Sequence, residues 1–266
     1  MGRPDASSHM LEDTTAFVTG GSQNIGRRIA LTLADYGANV AVAARGDGIH
    51  ETAELIGDPD RALAVETDVT EVASIESSVR DTVEAFGGLD CVVNNAGVPG
   101  PTAPIDDTTV DEWERTLDIN LLGQAHTVRV AAPHLRESAR GRIVNISSTA
   151  AKNVLPSRSP YNVSKMGVIA LTRSLALDLG DDDVTVNAVC PGATSGDRID
   201  RSVEQQAANM GVSFEEAKER LFTGDAALGT LVDERDTAEA VAFLASDRAR
   251  HVSGQTINVD AGSCWE

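Results

Sequence analysis

Thr19-Gly20-Gly21-Ser22-Gln23-Asn24-Ile25-Gly26 follows the apolar run Ala16-Phe17-Val18 and leads into an amphipathic stretch from Ile25 to Tyr36. Strand, glycine-rich turn and helix in that order open a βαβ unit. Glycine lets the backbone turn sharply and come close to whatever sits at the helix start. The free N–H groups there, and the positive end of the helix dipole, suit a pyrophosphate. A tight turn that binds nothing is the alternative reading of these residues taken by themselves.

Working outward, the same alternation continues to the end of the chain. Gly37 reads as a helix C-cap, and Asn39–Ala43 as a second strand. Arg61–Glu66, Leu89–Val93, Arg142–Ile146, Val184–Val189 and Thr256–Val259 read as further strands. Helical patterns fill 71–86, 111–137, 159–180 and 234–246. Strands separated by helices predict an α/β fold: one doubly wound Rossmann domain on a seven-stranded parallel sheet, helices on both faces. A long excursion at 191–230 opens with Pro191-Gly192 and carries helical stretches around Arg198–Met210 and Ser213–Phe222. It leaves the carboxyl end of a strand, where ligands bind in such sheets, and is expected to form a helical lid.

No linker divides the chain, so residues 11–266 read as a single dinucleotide-binding catalytic domain; the opening MGRPDASSHM, residues 1–10, reads as tag residues. Neither a membrane span nor a secretory signal is legible, and cytoplasmic localisation is expected. Cys91, Cys190 and Cys264 are too few and too scattered for a disulfide framework, and the five histidines form no ligand cluster, so no metal site is expected. Against 22 basic residues stand 41 acidic ones, a net charge of −19, which excludes a basic nucleic-acid footprint. Two origins fit this acidity: a GC-rich genome, or a salt-adapted cytoplasm in which an acidic coat keeps the protein soluble.

An acidic residue after the second strand would hold a ribose 2′-hydroxyl; here Ala44 and Arg45 stand there. A guanidinium binds a 2′-phosphate bidentately, which favours NADP(H) over NAD(H), unless Arg45 is simply an exposed loop residue. Farther on, Ser159-Pro160-Tyr161-Asn162-Val163-Ser164-Lys165 reads as a helix start with Ser159 as N-cap and Pro160 at the first helical position. Tyr161 and Lys165 then share one face at i and i+4. An ammonium beside a phenol favours the phenolate, which is how a tyrosine becomes a proton-transfer group at neutral pH. Such a pair alone is often only a pair of surface neighbours. Ser147-Ser148, however, closes the fifth strand and Asn94-Asn95-Ala96-Gly97 the fourth, both at the carboxyl edge where the glycine turn lies, and Asn120 sits in the helical stretch that follows.

With TGGSQNIG at 19–26, Asp68-Val69, NNAG at 94–97, Asn120, Ser148, Tyr161-x-x-x-Lys165 and Pro191-Gly192, the chain resembles the short-chain dehydrogenases/reductases over essentially its whole length. The resemblance implies Tyr161 as general acid or base. Lys165 would lower its pKa and hold the nicotinamide ribose. Ser148 would polarise the substrate oxygen, and Asn120 would hold a water in a proton relay. It implies cofactor contacts from Gly20, Ser22, Gln23, Asn24, Ile25, Gly26, Arg45, Asp68, Val69, Asn94, Ala96, Gly97, Pro191, Gly192 and Thr194, besides Tyr161 and Lys165. It also implies a homotetramer.

Three positions depart from the family pattern. Asn24 replaces the middle glycine of the fingerprint, and asparagine tolerates the positive φ that the turn needs. Gln23 replaces a basic residue found in many NADP-preferring members. Gly196 replaces a threonine that contacts the carboxamide, leaving Thr194 or Ser195 for that contact. The expected activity is hydride transfer between a nicotinamide and a ketone or secondary alcohol. The alternatives are a 3-oxoacyl-thioester reductase, against which the acidic surface speaks, and a non-catalytic nucleotide-binding regulator. Residues 149–158 and 193–225 would line the substrate pocket, where Arg158, Arg198 and Arg201 are candidates to meet a carboxylate or are solvated.

Overall fold

A computed structural model describes residues 9–265 apart from the side chains of Asp197, Arg198 and Ser202; the expected tag residues 1–8 and the Arg198 side chain fall outside that description. Seven strands form one sheet: β1 (Thr15–Thr19), β2 (Asn39–Ala44), β3 (Ala62–Glu66), β4 (Cys91–Asn94), β5 (Arg142–Ile146), β6 (Thr185–Pro191) and β7 (Thr256–Val259). All pair in parallel, in the order β3-β2-β1-β4-β5-β6-β7. The order reverses between β1 and β4, which opens a crevice at the carboxyl ends of those strands.

Nine α-helices accompany the sheet among the described residues: α1 (Asn24–Asp35), α2 (Gly48–Ile56), α3 (Val72–Phe86), α4 (Val110–Leu117), α5 (Gly123–Glu137), α6 (Ser159–Asp178), α7 (Asp197–Met210), α8 (Phe214–Lys218) and α9 (Glu234–Ala245). Successive strand side chains point to opposite faces, and the two cores divide accordingly. On one face Val18, Val40, Val42, Val93 and Val144 meet Ile29 and Leu33 of α1 and Val241 and Leu244 of α9. On the other, Phe17, Val92, Ile143 and Val186 meet Ile75 and Val79 of α3 and Val128 and Leu135 of α5. Each fully buried side chain of this size contributes about 1.5–3 kcal/mol of transfer free energy. Met10, inside the expected tag, also packs against the first cluster.

Three local readings are corrected. The stretch 111–137 is not one helix: a π-helical segment, Asp118–Leu122, separates α4 from α5. Helix α2 is absent from the sequence reading, although Ile49, Thr52, Ala53 and Ile56 stand at helical spacing, with Ile49 and Thr52 buried. Arg158, not Ser159, is the N-cap of α6, so Ser159 and Pro160 both lie in its first turn. The excursion carries α7, then α8 continued by a π-helical segment, Glu219–Thr223. Its two ends are tied where the Val232 N–H donates to Ala193 O at 2.9 Å and the Ser195 N–H to Val232 O at 2.8 Å.

Candidate active site

The crevice at the switch point is a cleft of about 360 Å³. Its walls include Gly20, Ser22, Gln23, Asn24, Ile25, Gly26, Arg45, Asp68, Val69, Ala96, Gly97 and Thr194, all expected cofactor contacts. They also include Ser195, the alternative to Thr194 for the carboxamide contact, and Ala44, Thr67, Asn95, Val98, Ile119, Gly196, Ile199 and Glu234, which are not among the expected cofactor contacts.

The glycine turn is made by backbone geometry. Gly20 has φ +66° and Asn24 φ +49°, so asparagine does occupy the left-handed region. A Cβ on Gly26 would lie 2.1 Å from Gly20 O, and one on Gly20 would lie 2.8 Å from the Ala96 Cα. Asn95 holds the turn to the end of β4, its Nδ2 donating to Thr19 O at 3.0 Å and Gly20 O at 3.1 Å. Helix α2 braces the other side, where Thr52 Oγ1 donates to Gly21 O at 3.0 Å, and from α1 Arg27 Nη2 donates to Ser22 O at 2.7 Å. The N-cap Gln23 makes no side-chain cap, and the first ladder bond runs from the Arg27 N–H to Gln23 O. The amides of Asn24, Ile25 and Gly26 therefore precede the ladder and are offered at the cleft. Orphan donors, a positive dipole end and a turn with no room for side chains fit a dinucleotide pyrophosphate.

At the far end of the second strand, Arg45 Nη1 stands 3.5 Å from Asp68 Oδ2 across the cleft wall. Burial raises the Asp68 carboxyl, but the Thr70 N–H and hydroxyl and the Arg45 charge outweigh it and hold the group below the usual range.

Gly97 joins the cleft to the residues expected to do chemistry. A Cβ there would lie 3.2 Å from Asn120 Oδ1 and 3.6 Å from Lys165 Nζ. The π-helical segment delivers Asn120, fully buried, to this point. Its Nδ2 donates to Val98 O and Ser164 Oγ, both at 3.0 Å, and its Oδ1 accepts the Val98 N–H at 2.7 Å. Lys165 Nζ donates to Ile146 O at 2.9 Å and lies 5.9 Å from the centroid of the Tyr161 ring. Burial pushes the Lys165 ammonium below the usual lysine range, opposed by Tyr161 and Cys190 in their ionised forms. Ser147, not Ser148, ties α6 to β5, its Oγ donating to Lys165 O at 2.7 Å. Ser148 Oγ accepts the Ala150 N–H at 3.1 Å, which leaves its own O–H to donate.

Asn94 lies beneath the cleft, where its Nδ2 donates to Asn145 Oδ1 at 2.9 Å, so it supports the sheet rather than lining the wall. Asn120, Ser148, Tyr161, Lys165, Pro191 and Gly192 also lie outside the cleft lining. Gly192 packs against Asp260, and its N–H donates to Val259 O at 2.9 Å.

Comparison with known proteins decides the family. Residues 20–263 match the model described as enoyl-(acyl carrier protein) reductase. The D-beta-hydroxybutyrate dehydrogenase of Cupriavidus necator is 35% identical over 95% of this chain and 98% of its own length. The 3-oxoacyl-[acyl-carrier-protein] reductase FabG of Staphylococcus aureus is 35% identical over 93% of this chain and 97% of its own. The chain belongs to the short-chain dehydrogenases/reductases.

Among solved members of this family, carveol dehydrogenase from Mycobacterium avium in complex with NAD superposes with a TM-score of 0.89, at 32% identity, over 96% of this chain and 99% of that one. A variant of the actinorhodin polyketide ketoreductase with NADPH superposes at 0.86, at 35% identity, over 94% and 97%. The protein is thus a nicotinamide-dependent oxidoreductase acting between hydroxyl and carbonyl groups. Among the described residues no helix is long and apolar enough to cross a membrane.

Proposed function

We propose that this short-chain dehydrogenase/reductase interconverts a ketone and a secondary alcohol, with Tyr161 as the proton-transfer group and NADP(H) as the preferred cofactor. The observation that carries the reading is the junction at Gly97, where the dinucleotide cleft meets Asn120 and Lys165 within contact distance. The cofactor, when bound, supplies the hydride at its nicotinamide C4.

The chain's own residues do the rest. The Asn24, Ile25 and Gly26 amides bind the pyrophosphate, and Arg45 takes a 2′-phosphate in competition with Asp68. Tyr161 gives its phenolic proton to the carbonyl oxygen during reduction and removes the hydroxyl proton during oxidation. Ser148 donates to the same oxygen and shares the developing charge. Lys165, held by Ile146 O, favours the phenolate. Asn120 has both amide hydrogens engaged, so a proton relay through it runs by the remaining Oδ1 lone pair or by its main chain. Thr194, whose Oγ1 donates to Gly192 O at 3.1 Å, and Ser195 flank the expected carboxamide seat.

A second reading, reduction of a 3-oxoacyl thioester, is favoured by the S. aureus relative. A homotetramer is supported by the exposed apolar residues Val163 and Met166 on α6, and sedimentation measures it directly. Cytoplasmic residence fits the small number of scattered cysteines, Cys91, Cys190 and Cys264.

Nicotinamide absorbance with NADPH and NADH, over a panel of ketones, alcohols and 3-oxoacyl thioesters, tests the activity. Tyr161→Phe is expected to lower turnover by about 10²–10⁴-fold while cofactor binding stays nearly intact. Turnover close to that of the parent in this variant removes Tyr161 from the chemistry.

A further inference from the structure

We infer that Arg158 is a positioning residue for the catalytic phenol: with Lys165 it makes a pair of cations that holds the Tyr161 ring and favours its ionised form. The guanidinium carbon of Arg158 lies 5.1 Å from the centroid of the Tyr161 ring, closer than Lys165 Nζ at 5.9 Å. A cation over an aromatic face is attracted to its negative quadrupole, and more strongly once the oxygen carries charge. Arginine suits the position because its planar group stacks on a ring while its edges still donate hydrogen bonds.

The surrounding backbone holds the guanidinium there. Arg158 Nη2 donates to Pro99 O at 2.7 Å, on the loop between β4 and α4. The Ala103 N–H of the same loop donates to Ser157 O at 2.9 Å. Ser157 has φ +57°, a left-handed conformation that a serine rarely adopts, immediately before Arg158. Two stitches and one strained residue therefore join the loop that follows the NNAG motif to the N-cap of α6. The loop that contributes Val98 to the cleft thereby fixes the cation beside the phenol.

Lys165, one turn along α6, is the other cation beside the ring. Cys190 of β6 sits next to Lys165 and Lys152, and burial raises its thiol, so it contributes no charge at neutral pH. Arg158 and Lys165 thus act on the ring in the same sense.

The inference rests on the reading of Tyr161 as the proton-transfer group, but its test is separable. The chain holds two tyrosines, Tyr36 and Tyr161, and Tyr36 donates to Glu239 at 2.6 Å between α1 and α9, outside the cleft lining. In a Tyr36→Phe background, the rise of tyrosinate absorbance with pH therefore reports Tyr161 alone. Arg158→Gln is expected to move that midpoint upward by about half to one pH unit, while Arg158→Lys keeps most of the parent behaviour. Should Arg158→Gln lose its folded circular dichroism, Arg158→Met, which keeps the apolar stem, takes the same titration.

With an alcohol found active in the substrate panel, the acid limb of the oxidation profile is expected to shift upward in parallel, with cofactor affinity unchanged. A midpoint unmoved in a folded Arg158→Gln or Arg158→Met overturns the inference. So does a loss of turnover with an unshifted pH profile, which marks a purely structural role. A panel without turnover defeats the proposed reaction and leaves the tyrosinate titration to decide Arg158.

Discussion

Asn120 and Val98 hold one another twice: the asparagine Oδ1 accepts the Val98 N–H at 2.7 Å, and its Nδ2 donates back to Val98 O at 3.0 Å. A side chain on the π-helical segment thereby mimics a strand partner for the loop that follows β4. It fixes the cleft wall and the lysine pocket in one stroke.

Replacing Asn120 with Ala would leave the Val98 amide and carbonyl without these partners. The expected loss is about 1–3 kcal/mol for each buried group left unsatisfied. Urea unfolding followed by circular dichroism measures it. Turnover is expected to fall more steeply than stability alone accounts for, because Lys165 Nζ and Asn120 Oδ1 flank the same glycine. An unchanged unfolding midpoint would mean that water replaces the amide at no cost.

Arg45 and Asp68 face one another at the cleft's outer end, where the proposed reading places the choice of cofactor. Arg45→Asp would place two carboxylates where the structure has a pair 3.5 Å apart. NADPH affinity is expected to drop by about 10-fold or more, with NADH affinity little changed. Fluorescence titrations with both nucleotides report the ratio. An unaltered preference would show that Arg45 does not choose the cofactor.

Glu234, at the start of α9, is a partly buried carboxylate in the cleft wall, and burial raises it above the usual range despite the charge of Arg28. Because its folded pKa exceeds its unfolded one, the native state holds its proton more tightly. The resulting stability is full below the unfolded pKa and is lost as pH rises through the folded one. Glu234→Gln is therefore expected to raise the melting temperature at pH 7, with the gain shrinking toward pH 4. Calorimetry at both values checks the sign, and a lower melting temperature at pH 7 contradicts it.

Self-repulsion among 41 acidic side chains against 22 basic ones is relieved by salt. If the acidic coat is an adaptation to salt, the melting temperature should climb steeply between low and molar KCl. A flat profile would leave genome composition as the reason for the acidity.

How much of this was legible beforehand depends on the range of the interaction. The βαβ alternation, the glycine turn and the Tyr161–Lys165 spacing are local: they follow from glycine's freedom at φ > 0, the two-residue period of strands and the turn of a helix. Those signals lie within a few residues of one another, and they settled the fold class and the family resemblance without coordinates.

Only the tertiary structure decided what surrounds those residues. It interrupted the 111–137 helix to aim Asn120, made Arg158 rather than Ser159 the N-cap of α6, and gave Ser147 the tie to α6. It also revealed α2, which packs Thr52 against the glycine turn. Hydrogen bonds such as Asn95 to Thr19 and Arg158 to Pro99 join residues 76 and 59 positions apart. No local periodicity encodes such pairings, because they form only when the parallel strands bring their carboxyl ends to one edge.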